Sequence, residues 1–207
     1  MERPIQGDVP GTEASDASKH SPSFTWDVTT SRAHHDRIDA MTRARDRLSP
    51  IMPFVLHNLQ RGIDIATSFF AMQGAERDAA LASYIVRWHF RQALARHAKS
   101  LEIAGVEELG LSGISFLYPP YHLRVWKADE IHLGGLATSP TKQAFFAQQI
   151  TFRELDDAND VSNLVILLDV DSRWNLATLR IGPPQVRNDQ VGLAWMLAVQ
   201  LPQPPAQ

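Results

Sequence analysis

The period of the apolar residues changes near Gly105, and this change constrains the fold more than any other feature. From about Ser31 to Ile103, apolar residues recur at helical spacing, with long stretches free of turn residues. From about Ile114 to Leu201 they come in short alternating or continuous runs broken by Gly, Pro, Asn and Asp. A period of roughly 3.6 marks an amphipathic helix and a period of 2 a strand. The chain therefore reads as α+β: a helical N-terminal half (two or three long helices) packed on a small antiparallel β-sheet from the C-terminal half. An isolated sheet with one apolar face is unstable in water, and the helices have stripes of their own to cover. One domain over residues 31–201 with a shared core is expected, with a helical half at 31–104 and a mainly β half at 110–201.

The first helix is expected from Ser31 to Leu48, with Ile38, Met41, Arg45 and Leu48 on one side. Ser49-Pro50 then has the form of an N-cap followed by Pro in the first turn. The next segment runs to about Met72 and carries an apolar stripe of Val55, Leu56, Leu59, Ile63, Ala66 and Phe70. Gln73-Gly74 breaks it. A last long helix is expected from Ala75 to Ile103, with Gly105 as its stop.

In the second half, His122 to Lys127 alternates and reads as a half-buried strand. Gly134-Gly135 reads as a turn, and Ser139-Pro140 opens a short helix to about Gln149. Asn163 to Val170 is a continuous apolar run, the mark of a central strand. Asp171-Ser172-Arg173 reads as the turn of a hairpin with Trp174 to Ile181, and Pro183-Pro184 ends that strand. Leu193 to Leu201 forms a last alternating strand. Residues 1–30 have the composition of a disordered tail, apart from Phe24 and Trp26, and residues 202–207 of a Pro-rich one.

Composition excludes several functions. The chain has no cysteine, which rules out disulfides, thiolate nucleophiles and Cys-based zinc sites. The net charge of -3 gives no global attraction to nucleic acid or an anionic membrane. No run of apolar residues reaches the roughly 18 needed for a membrane span. Met1 to His20 holds no apolar stretch of the kind a secretory signal needs, so a cytoplasmic location is expected. No His-Glu-x-x-His, Gly-x-Ser-x-Gly, dinucleotide or phosphate-loop signature occurs. Neither a metal nor a cofactor is implied.

The best functional signal lies on the last helix. At about 100° per residue, Leu81, Ala82, Ile85, Val86, Phe90 and Ala93 point one way, and Tyr84, Arg87, Trp88 and Arg91 the other. Tyr, Trp and Arg are enriched at binding hot spots because they combine contact area with a polar handle. Tyr84, Arg87, Trp88 and Arg91 are therefore the candidate partner-binding residues, with a protein partner or a second copy of the chain as the expected ligand. The plain alternative is a second core face with solvated arginines.

Two further readings compete. Arg87, Arg91, Arg96 and Lys99 form a basic helix with no acid between them, which would suit phosphate contacts in a nucleic-acid-binding regulator. Asp169 and Asp171 lie at a strand end, with Glu154, Asp156, Asp157 and Asp160 near in sequence. They could hold Mg²⁺ in a metal-dependent hydrolase or transferase, although Asp and Ser at this place are also ordinary turn residues. His89 and His97, eight positions apart, do not share the i,i+4 spacing of a metal pair and read as core histidines. The expectation is a non-catalytic regulatory or interaction protein.

Overall fold

The computed structural model describes residues 25–29, 35–108, 114–127, 162–171, 174–187 and 190–201. The helical period gives three helices, α1 (His35–Leu48), α2 (Met52–Gln73) and α3 (Ala79–His97). A short strand precedes them, β1 (Thr25–Thr29). After them come β2 (Gly105–Glu108), β3 (Ile114–Tyr118), β4 (Tyr121–Lys127), β5 (Ser162–Val170), β6 (Leu176–Gly182), β7 (Pro184–Arg187), β8 (Gln190–Leu193) and β9 (Met196–Gln200). Seven strands form one sheet in the order β1-β9-β6-β5-β4-β3-β2, and β7-β8 is a separate hairpin. The fold is α+β.

Both halves contribute to one apolar cluster. The α2 stripe of Val55, Leu56, Leu59, Ile63, Ala66 and Phe70 is buried, and so are Leu123, Val125, Leu164, Ile166, Leu179, Ile181, Leu197 and Val199 from the sheet. Arg47 fastens α1 to the β3-β4 turn. Its Nε donates to the Pro119 carbonyl at 2.7 Å and its guanidinium lies 4.2 Å from the centre of the Tyr118 ring. Gln60 ties α2 to the sheet, its Oε1 accepting the Leu176 backbone N–H at 2.9 Å.

The structure differs from the sequence expectation at identifiable points. The sheet is larger and mixed: β4 and β5 are parallel. Residues 128–161 separate them, a connection long enough for the crossover that parallel strands require. Residues 25–29 belong to the sheet as β1 at its edge, paired antiparallel with β9 through Thr25↔Gln200 to Thr29↔Met196. Ser49 does not cap α2. Its hydroxyl donates to the Arg45 carbonyl at 2.7 Å and so closes α1, while α2 starts from Ile51 without a side-chain cap. The last helix ends at His97, not Ile103, because Glu102 turns the chain with φ 57 and sends Ile103 into the core. Gly105 opens β2 instead of ending the helix. β6 ends at Gly182, before Pro183-Pro184, and Pro184 then starts β7; of the expected last strand, Leu193 ends β8 and Met196–Gln200 forms β9. The expected helix at Ser139–Gln149, the Gly134-Gly135 turn, most of the N-terminal tail and the Pro-rich C-terminus lie outside the described residues.

Candidate functional site

The α2-α3 hairpin positions the candidate face. Gly74 ends α2 in the left-handed conformation, φ 58, where its lack of Cβ costs nothing. Asp78 then opens α3, its carboxylate accepting the N–H groups of Ala80 at 2.8 Å and Leu81 at 3.0 Å. Ala82, Val86, Phe90, Ala93 and Leu94 are buried on the inner side of α3.

On the outer side, Tyr84 is 45% exposed and Trp88 48%. Leu81 is 40% exposed and belongs with them, not with the core stripe expected for it. Leu81, Tyr84 and Trp88 stand at i, i+3 and i+7, which is one line along a helix. Arg87 and Arg91 are half-buried at the borders of this line. The basic quartet does not form one row. Arg87 turns toward the sheet, Arg96 bonds back to the Gln92 carbonyl at 3.1 Å, and Lys99 lies beyond the end of α3.

Arg87 helps line a pocket of about 160 Å³ between the helix hairpin and the carboxyl ends of β4 and β5. Ile63 and Val86 wall it from the helices, and Val125, Leu168 and Val170 from the strands. Its polar groups are Ser83 and Arg87, one turn apart on α3, and Asp171 just past β5. Trp174 closes one side with φ 63. A bulky residue at positive φ is a backbone outlier, held only where its surroundings over-determine it. The Arg77 guanidinium lies 5.6 Å from the centre of the Trp174 ring.

Asp169 and Asp171 have separate tasks. Asp169 pairs with Arg180 at 3.0 Å and accepts the Thr178 hydroxyl at 2.9 Å. Asp171 stabilises the turn, accepting the backbone N–H of Asn175 at 2.8 Å. Among the described residues, no group of three His, Asp or Glu side chains could hold a metal ion. Glu154, Asp156, Asp157 and Asp160 lie outside the described residues. His97 is exposed, not in the core, and packs edge-on against Phe54. His89 is half-buried; burial lowers its pKa most, and the nearby Arg96, Arg61 and His57 lower it further.

Sequence reasoning missed a buried polar cluster on the other face of the sheet. His122, Arg124 and Asn163 are 1% exposed and Ser115 is 0% exposed. The strand register pairs Ser115 with Arg124 and His122 with Asn163. Ser115 Oγ and His122 Nε2 share a hydrogen bond. Burial, and then the Arg124 charge, push the His122 pKa down to about 4, against a side-chain hydrogen bond with Asn163 that raises it. Burial also draws Arg124 down to about 10, opposed by Glu107. A hydroxyl, an imidazole and an amide in this order resemble a nucleophile, its base and an orienting group. The Ser115 side chain is 0% exposed, and the cluster joins β3, β4 and β5. The alternation of His122, Arg124 and Trp126 was its one sequence signal, and it reads equally as a solvent face.

Comparison with protein-family models, with curated proteins and with solved structures finds no match to this chain. Among the described residues, no helix is long and apolar enough to cross a membrane.

Proposed function

We propose that this chain is a non-catalytic interaction protein that binds a protein partner through the outer face of α3. The observation that carries this reading is the exposed line of Leu81, Tyr84 and Trp88 on a helix whose inner side is fully used by the core. Large aromatic side chains left in water at regular spacing are the usual anchors of a helix-face interface. The charge around them sets the partner's chemistry. Arg87, Arg91, Arg96 and Lys99 accompany the line, and no acid occurs between Asp78 and Glu102. An acidic surface carrying apolar pockets for Tyr84 and Trp88 fits that pattern.

The test is a photo-crosslinking side chain placed at position 84 or 88, with position 64 on the exposed side of α2 as control. The expected result is one partner captured at 84 and 88 but not at 64. Its binding as a purified protein should fall at least roughly tenfold with Trp88→Ala plus Arg91→Ala, since one hot-spot aromatic is worth about 2 kcal/mol. Unchanged binding of the purified partner by this variant overturns the reading. So does retention on single-stranded nucleic acid that is lost steeply with salt, which would transfer the basic residues to phosphate contacts.

A further inference from the structure

We infer that the pocket between α3 and the ends of β4 and β5 is a binding site for a small uncharged aromatic molecule, one ring bearing one hydroxyl group. The site is separate from the outer face of α3; of the candidate interface residues, Arg87 alone lines it. At about 160 Å³ the pocket has the volume to take a single ring, since an apolar cavity of about 150 Å³ takes up benzene. Val86, Leu168 and Val170 wall it, so most of what a ring would touch is branched aliphatic carbon. Trp174 adds an aromatic surface on one side, and contact between rings attracts beyond the area it buries. Trp174 is held there at φ 63, and such backbone strain gathers at ligand-binding positions.

The polar groups favour a ligand without charge. Arg87 and Asp171 are opposite in sign and each already has a partner, so neither offers an unmet counter-ion. Asp171 accepts the Asn175 N–H at 2.8 Å. A charged ligand would lose its water to a site with no unmet charge, and that desolvation opposes binding. Ser83 differs from both. It is half-buried and lines the same pocket, and among the described residues its hydroxyl has no hydrogen-bond partner. A serine hydroxyl can donate and accept, so it matches a ligand hydroxyl in either sense. One polar group in an otherwise apolar pocket fixes the orientation of a ring through one neutral substituent.

Phenol, benzene, benzoate and benzylamine, titrated at neutral pH and one ionic strength, test the proposal. The readouts are calorimetry and the indole N–H resonance of Trp174. Phenol and benzene are expected to bind, and benzoate and benzylamine at least roughly tenfold more weakly than phenol. Ser83→Ala, which removes only the hydroxyl, should weaken phenol roughly threefold to tenfold and leave benzene unchanged. Val170→Trp, at a half-buried wall position, should block phenol and benzene while the circular dichroism spectrum and melting temperature show a folded chain. A charged probe held as tightly as phenol would overturn the uncharged ligand. Phenol binding indifferent to Ser83→Ala would overturn the hydroxyl contact. Absence of binding by both phenol and benzene, or binding unaffected by Val170→Trp, would overturn the site.

Discussion

A side-chain carbon on Gly62 would lie 3.0 Å from the Cα of Val86 and 3.2 Å from its carbonyl oxygen. The two helices of the α2-α3 hairpin therefore meet backbone to backbone at this point, on the side of α3 opposite Tyr84 and beside the pocket wall. In an exposed helix Gly→Ala gains about 1 kcal/mol of stability. Here the added carbon must push α3 outward. Gly62→Ala is expected to destabilise by about 1 kcal/mol and Gly62→Val by about 2–3 kcal/mol, the range for overpacked sites. Urea unfolding followed by circular dichroism measures both. A stabilised Gly62→Ala variant would show that α3 yields at no cost.

Stability should fall on mild acidification because of His122. Its folded pKa is about 4 against an ordinary 6.5, so the native state holds the neutral ring. Above 6.5 the imidazole is neutral in both states and the full contribution is present. As pH falls from 6.5 through about 4, the unfolded chain takes up the proton first, and stability is lost. The loss is about 3 kcal/mol over that interval, at 1.36 kcal/mol per pKa unit. His89, lowered in the same direction, adds to it. Urea midpoints measured between pH 7.5 and 4 should fall steeply in the wild type and less in His122→Gln. Parallel curves would place the proton uptake elsewhere.

The helices and the central strand were legible because their residues repeat a local period. The α2 stripe from Val55 to Phe70 is one face of a helix whatever it packs against, and the run from Asn163 to Val170 can hardly be anything but a buried strand. Pairing is not local. Nothing between Lys127 and Ser162 states that β4 and β5 run parallel, and the edge position of β1 depends on a partner more than 160 residues away. The buried cluster was hidden for a related reason. Polar residues alternating with Leu123 and Val125 ordinarily mark a wet face, and only the fold shows that His122 and Arg124 are covered. Arg87 was assigned to the outer face because, at about 100° per residue, it sits on the border between two faces. Ser49 shows how one dipeptide serves two ends: Ser-Pro suits an N-cap, yet the hydroxyl reached back to Arg45.

The start of α3 depends on one carboxylate. Asp78 accepts two backbone N–H groups that have no partner within the helix, and its negative charge faces the positive end of the helix dipole. Asp78→Ala is expected to cost about 1 kcal/mol, Asp78→Ser much less. Hydrogen exchange should show the loss concentrated at Ala80 to Leu81, with the α3 interior protected as before. Uniform loss of protection along α3 would mean that the cap governs the whole helix.

The Asp169 carboxylate separates a structural reading from a metal-binding one. Arg180 holds it at 3.0 Å and Thr178 donates to it at 2.9 Å, while Asp171 is turned to its own Asn175 contact. Both members of the ion pair are about one-third exposed, so water and salt screen much of the attraction. The pair is then worth about 1 kcal/mol or less. Asp169→Asn, which keeps an acceptor for Thr178 and removes the charge, should lower stability by about that amount, with the difference shrinking in high salt. Magnesium or manganese should leave the melting temperature of the wild type unchanged at fixed ionic strength. A rise with either ion that disappears in Asp169→Asn would mean that this carboxylate leaves Arg180 for a cation, because only binding to the native state raises the melting temperature.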